Sequence, residues 1–138
     1  MTTPVILDTG PLVAFLNRRD HYHEWACDVL GDVEPPLVTC ESVLSEACFL
    51  LRGRPGGPQA VMALAERGLF RVAFDLQREA ATVGRLLTKY ADLPASLADA
   101  TLVRLAEIHP DAPVLTTDAH FFVYRKNRRR KLRVIAPS

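Results

Sequence analysis

Five short apolar runs alternate along this chain with segments whose apolar residues recur every three to four positions. That alternation constrains the fold more than any other feature. The runs are "PVILD", "LVTC", "LFRVAF", "APVLTT" and "LRVIA", each short enough for a buried strand and bounded by turn residues. Between them lie six helical patterns. In the second, Tyr22, Trp25, Ala26, Val29 and Leu30 fall on one helical face behind Asp20 as a cap. In "ESVLSEACFLLRG", Val43, Leu44, Ala47, Leu50 and Leu51 form the apolar face. Ser96-x-x-Asp99 opens the last helix like a capping box with Asp in place of Glu. Strands separated by helices predict an α/β sandwich around a mainly parallel sheet.

With 138 residues, no internal repeat and no linker-like segment, the chain reads as a single domain over 1–138. No apolar run approaches the roughly 18 residues of a membrane span. The start lacks the basic residues of a signal peptide. Three cysteines, Cys27, Cys40 and Cys48, have no metal-ligand spacing and read as reduced thiols of a cytoplasmic protein. A formal net charge of +1 hides a strong asymmetry. All 16 acidic residues lie at or before Asp118, while "RKNRRRKLR" at 125–133 holds seven of the 17 Lys and Arg. A basic tail beside an acidic body suits a polyanion or an acidic protein partner.

Functional crevices of parallel α/β sheets lie beyond the carboxyl ends of the strands, and several acids fall there. Asp8 ends the first strand, Asp118 follows the "VLTT" strand, and Asp99 sits in the first turn of its helix. Glu46 lies mid-helix near the apolar face that includes Leu50, with no basic residue three or four positions away. Taken singly, Asp8 and Asp99 read equally as helix caps and Asp118 as a turn residue. Four carboxylates brought to one end of one sheet would repel one another without a cation. Oxygen-only ligation points to Mg²⁺ or Mn²⁺ rather than Zn²⁺. The histidines of "HYHE" read as structural or surface groups, His109 as a helix C-terminal residue, and Trp25 as core or interface.

The segments "VILDTGPLVAFLN", "VLSEACFLL", "LADATLVRLAE" and "VLTTDAHFFVYR" stand in the order and rough spacing of the PIN-domain nucleases. Across essentially its whole length the chain resembles the small bacterial toxins of the VapC type. The resemblance implies a PIN-like α/β/α sandwich and a Mg²⁺- or Mn²⁺-dependent endoribonuclease. It also implies a homodimer held inactive by a cognate antitoxin in a hetero-oligomer. Asp8, Glu46, Asp99 and Asp118 then correspond to the acidic metal cluster, with the hydroxyls of Thr9 and Thr117 in support. Relatives often carry a further acid at the position of Ser96, and its loss bears on whether one or two ions are held. Asp8 is accordingly read as a metal ligand at a strand end rather than as a cap.

Phosphodiester cleavage adds negative charge to an anionic phosphate, which carboxylates can stabilise only through bound cations. Arg125, Lys126, Arg128, Arg129 and Arg130 are read as contacts to the RNA backbone or to acidic residues of the antitoxin. "DTG" also opens the active loop of aspartic proteases, but those are all-β, and an aspartyl-phosphate phosphatase would need an acid where Gly10 stands. The alternative kept is a catalytically silent PIN-like module that binds RNA or protein.

Overall fold

The computed structural model describes residues 3–138. Five strands make one sheet: β1 (Ile6–Leu7), β2 (Leu37–Thr39), β3 (Phe70–Val72), β4 (Val114–Leu115) and the last, β7 (Val134–Ile135). Their spatial order is β3-β2-β1-β4-β7, and every pairing is parallel. Six helices connect them: α1 (Thr9–Leu16), α2 (His23–Asp32), α3 (Glu41–Leu50), α4 (Gly57–Glu66), α5 (Leu76–Lys89) and α6 (Leu97–Ile108). The five apolar runs and six helical patterns of the sequence are all present.

The period of two along each strand sorts the core into two layers. Ile6, Val38 and Val114 face α5 and α6, meeting Val83, Leu86, Leu102 and Leu105. Leu7, Leu37 and Leu115 face the other way, onto Leu12 of α1, Leu30 of α2, Leu44 and Ala47 of α3 and Val61 of α4. The chain steps from β1 outward through β2 to β3, then returns to place β4 on the other side of β1. This reversal opens a crevice beyond the carboxyl ends of β1 and β4, where α/β sheets bind ligands. Asp8 and Thr116 are the first residues after those two strands.

Two local features depart from the sequence expectation. The basic segment folds back on itself before the last strand, as a hairpin of β5 (Arg125–Lys126) and β6 (Arg130–Lys131). Its turn holds Asn127 and Arg128 at φ 48° and 75°, left-handed values that asparagine tolerates and arginine rarely adopts. The buried stripe of α3 is Val43, Leu44 and Ala47, continued by Leu51, whereas Leu50 is 52% exposed. Glu46 is correspondingly exposed rather than set against the core.

Gly57 opens α4 where the backbone of the preceding turn leaves no room. A Cβ there would lie 2.3 Å from the Leu51 carbonyl oxygen. Gly57→Ala should therefore cost about 1–3 kcal/mol of stability. Thermal unfolding should register this as a fall of roughly 5–15 °C.

Candidate active site: an acidic crevice at the sheet switch point

Asp8 sits at the centre of the crevice. Its backbone N–H continues the ladder to the Leu115 carbonyl at 3.0 Å, which fixes the carboxylate at the end of β1. Oδ1 accepts from the Thr9 N–H at 2.7 Å and Oδ2 from the Thr116 hydroxyl at 2.6 Å. Asp8 thus does cap α1, and the opposition of cap to ligand drawn from the sequence was too sharp. A cap uses one oxygen of a carboxylate that has several lone pairs. The residue is only 6% exposed. Burial, opposed by the Thr116 and Thr9 hydrogen bonds and reinforced by the charges of Asp99 and Asp118, pushes its carboxyl up to about 6.

The other acids join through hydroxyl groups. Thr9 Oγ1 donates to Glu46 Oε2 at 3.2 Å, linking the first turn of α1 to the middle of α3. Asp99 closes a true capping box with Ser96 at the start of α6, and its Oδ2 also accepts from the Tyr124 phenol at 3.2 Å. Burial first, then the charges of Asp99, Asp118 and Asp8, raises the Tyr124 phenol well above its ordinary range. One tyrosine therefore senses three of the four predicted acids. Asp118 Oδ1 accepts from the His120 N–H and lies 2.9 Å from His120 Nδ1. Its own N–H donates to Thr116 Oγ1 at 2.9 Å.

Thr116 is the residue that sequence reasoning passed over. It joins Asp8 to Asp118, whereas the Thr117 hydroxyl lies over Gly10, where a Cβ would come within 2.0 Å of it. Tyr124 and His120 also face these acids, and neither was assigned a role from sequence. Cys40, buried at the start of α3, has its thiol pushed up to about 11 by burial, with Asp8 adding a smaller push. It stays protonated at neutral pH. A cleft of about 450 Å³ opens beside Glu46, lined by Ser45, Phe49, Ser96 and Leu97.

The basic residues are divided. The Arg125 guanidinium donates to the carbonyls of Phe122, Val123 and Tyr124. Lys126 is 4% exposed, and its ammonium is bound to the Pro110 carbonyl. Both support the hairpin from within. Arg128, Arg129 and Arg130 are exposed.

Among the described residues, no three His, Cys, Asp or Glu side chains already form a metal cage. The charges of Asp99 and Asp118 reach Asp8 without the acids meeting at one point. Their chemistry nonetheless suits a hard divalent cation, since the donors are carboxylates backed by hydroxyls.

A parallel α/β/α domain with carboxylates gathered at its switch point is the arrangement these residues define. The PIN domain family model matches residues 5–127, and the chain belongs to that family. Ribonuclease VapC26 of Mycobacterium tuberculosis (strain ATCC 25618 / H37Rv) is 28% identical to it over 120 residues, which covers 86% of this chain and 89% of that protein.

Proposed function

We propose that this chain is a divalent-metal-dependent endoribonuclease, acting as the toxin of a toxin–antitoxin pair and hydrolysing RNA phosphodiester bonds at the acidic crevice. The observation that carries the reading is Asp8, a buried carboxylate whose proton affinity rises partly because Asp99 and Asp118 lie near it. An arrangement of like charges that disfavours itself is expected where a cation completes it. The similarity to a ribonuclease supports the substrate class. Phe49, Leu50 and Met62, between 49% and 59% exposed on α3 and α4, offer apolar surface for a second copy or an antitoxin. The site of action on this reading is the cytoplasm.

Asp8 and Asp99 would be the principal ligands of Mg²⁺ or Mn²⁺, with Asp118 holding a second ion or acting through water. A bound ion supplies Lewis-acid stabilisation of the phosphate. The protein does the rest. Thr116 and Thr9 fix the direction of the Asp8 carboxylate, and Tyr124 fixes Asp99. Glu46, exposed and held by Thr9 Oγ1, orients the attacking water or serves as a further ligand.

Calorimetric titration of Mn²⁺ into partner-free protein tests this beside Asp8→Asn and Asp99→Asn, followed by an RNA cleavage assay. Saturable binding, lost in both variants while their circular dichroism is kept, is the expected result. Equal weak binding by all three proteins would favour the second reading, a silent PIN-like binding module. The lack of a ready cage among the described residues is the observation on its side.

A further inference from the structure

Away from the acids, a cleft of about 540 Å³ lies between α5, the later part of α6 and the turn of the β5–β6 hairpin. Its walls carry Arg85, Lys89, Arg104 and Arg128 against a single carboxylate, Glu107. Arg104 is already matched, bonded to Glu79 at 2.8 Å and to Glu107 at 3.2 Å. The remaining three cations have no carboxylate partner among the described residues. The Arg85 guanidinium donates to Thr82 Oγ1 on its own helix, and the Lys89 ammonium to the Arg128 carbonyl at 2.9 Å.

The cleft is held in shape from both sides. Glu107 accepts the Asn127 N–H, and the Lys89 ammonium donates to the Arg128 carbonyl, so the turn is fastened to α6 and to α5. Arg128 occupies a left-handed position, at φ 75°, that glycine would fill without steric cost. The Arg128 guanidinium, beside two further cations that have no carboxylate partner among the described residues, presents donors suited to phosphate oxygens.

We infer that this cleft is an anchoring site for the phosphate backbone of single-stranded RNA, distinct from the acidic crevice, with Arg85, Lys89 and Arg128 as its contacts. The choice of RNA over other polyanions rests on the nuclease reading. A crevice of carboxylates repels a nucleic acid, so a substrate of that charge needs a cationic hold elsewhere on the surface. Arg104 lies five residues beyond Asp99, about 7.5 Å further along α6 and on another flank of the helix. The anchor would therefore hold RNA outside the acidic crevice.

The test is binding of a fluorescent single-stranded RNA oligonucleotide in chelator, so that cleavage plays no part. The variant is Arg85→Gln/Lys89→Gln/Arg128→Gln. The control is Arg18→Gln/Arg19→Gln/Arg67→Gln, three exposed arginines elsewhere with the same loss of charge. The cleft variant should bind roughly tenfold more weakly at 0.1 M salt, and its log–log salt slope should fall by about 2, at about 0.7 per lost phosphate contact. Arg128→Gly alone should fold at least as well as the parent yet lose about 0.7 of slope. Slopes indistinguishable from those of the control set would overturn the assignment. A variant that keeps the parent's RNA slope but no longer binds a poly-glutamate peptide would also overturn it, in favour of an acidic protein segment. Loss of RNA binding in a protein that cleaves no RNA would leave the anchor standing and remove the nuclease reading instead.

Discussion

Asp8→Asn is expected to reduce RNA cleavage by more than about a hundredfold and, in the same protein, to raise the melting temperature. The first half follows from the loss of the central carboxylate. The second follows from what that carboxylate costs the fold. Its pKa is raised from 3.8 to about 6, so the folded chain binds a proton more tightly than the unfolded one. Stability therefore falls as pH rises from about 4 to about 6, and stays at the lower level above that. The shift corresponds to about 3 kcal/mol. Asparagine carries no charge and escapes this cost. It can still accept the Thr9 N–H, but it offers an amide donor to Thr116 and so forfeits part of the gain.

Differential scanning calorimetry of the metal-free proteins across pH checks the sign. The advantage of Asp8→Asn should be small near pH 4, grow through pH 5 and 6, and level off at about 1–3 kcal/mol above pH 7. Saturating Mn²⁺ should then raise the melting temperature of the parent and leave the variant unmoved, because only a bound ligand stabilises by mass action. An asparagine variant less stable than the parent at every pH would mean that Asp8 is held chiefly as a cap.

The sheet was legible because each of its strands is an apolar run short enough to be read without ambiguity, and six helical periodicities separate them. Strands of two or three residues, such as Ile6–Leu7 and Leu37–Thr39, still carry both core layers. The hairpin was not legible. "RKNRRRK" has no alternation, and its buried lysine is satisfied by a carbonyl sixteen residues earlier, which no local pattern encodes. Among the site residues, Asp8, Asp99 and Asp118 announced themselves by standing after strands or at a helix start, whereas Glu46 was read from a place near the apolar face that the structure leaves exposed. Thr116 was not announced, since it and Thr117 are chemically identical neighbours. Counting by two from Val114, which faces α5 and α6, would have placed Thr116 on the side of Asp99 and Tyr124. Tyr124 reaches Asp99 from beyond the short helix after Asp118, a contact set by tertiary packing alone.

Thr116→Val is expected to weaken Mn²⁺ binding by about 10- to 100-fold, the range found when the partner that orients a ligand is lost. The substitution keeps the volume and removes one hydroxyl that performs two tasks. Thr116 is fully buried; it donates to Asp8 Oδ2 at 2.6 Å and accepts the Asp118 N–H at 2.9 Å. Without it the Asp118 N–H loses its partner, at a cost of about 1–3 kcal/mol. The Thr116 hydroxyl is also the strongest influence holding the Asp8 carboxyl down, so its loss moves that group above about 6. A cation must displace the proton, and below the pKa its apparent affinity falls about tenfold for each pH unit. The pH midpoint of Mn²⁺ binding should therefore move upward in Thr116→Val and return in Thr116→Ser, which restores the hydroxyl. Calorimetric titrations at pH 6, 7 and 8 would read this. A valine variant that melts earlier but keeps the parent's pH midpoint would place Thr116 in the fold alone, whereas a shifted midpoint rescued by serine ties it to the charge of Asp8.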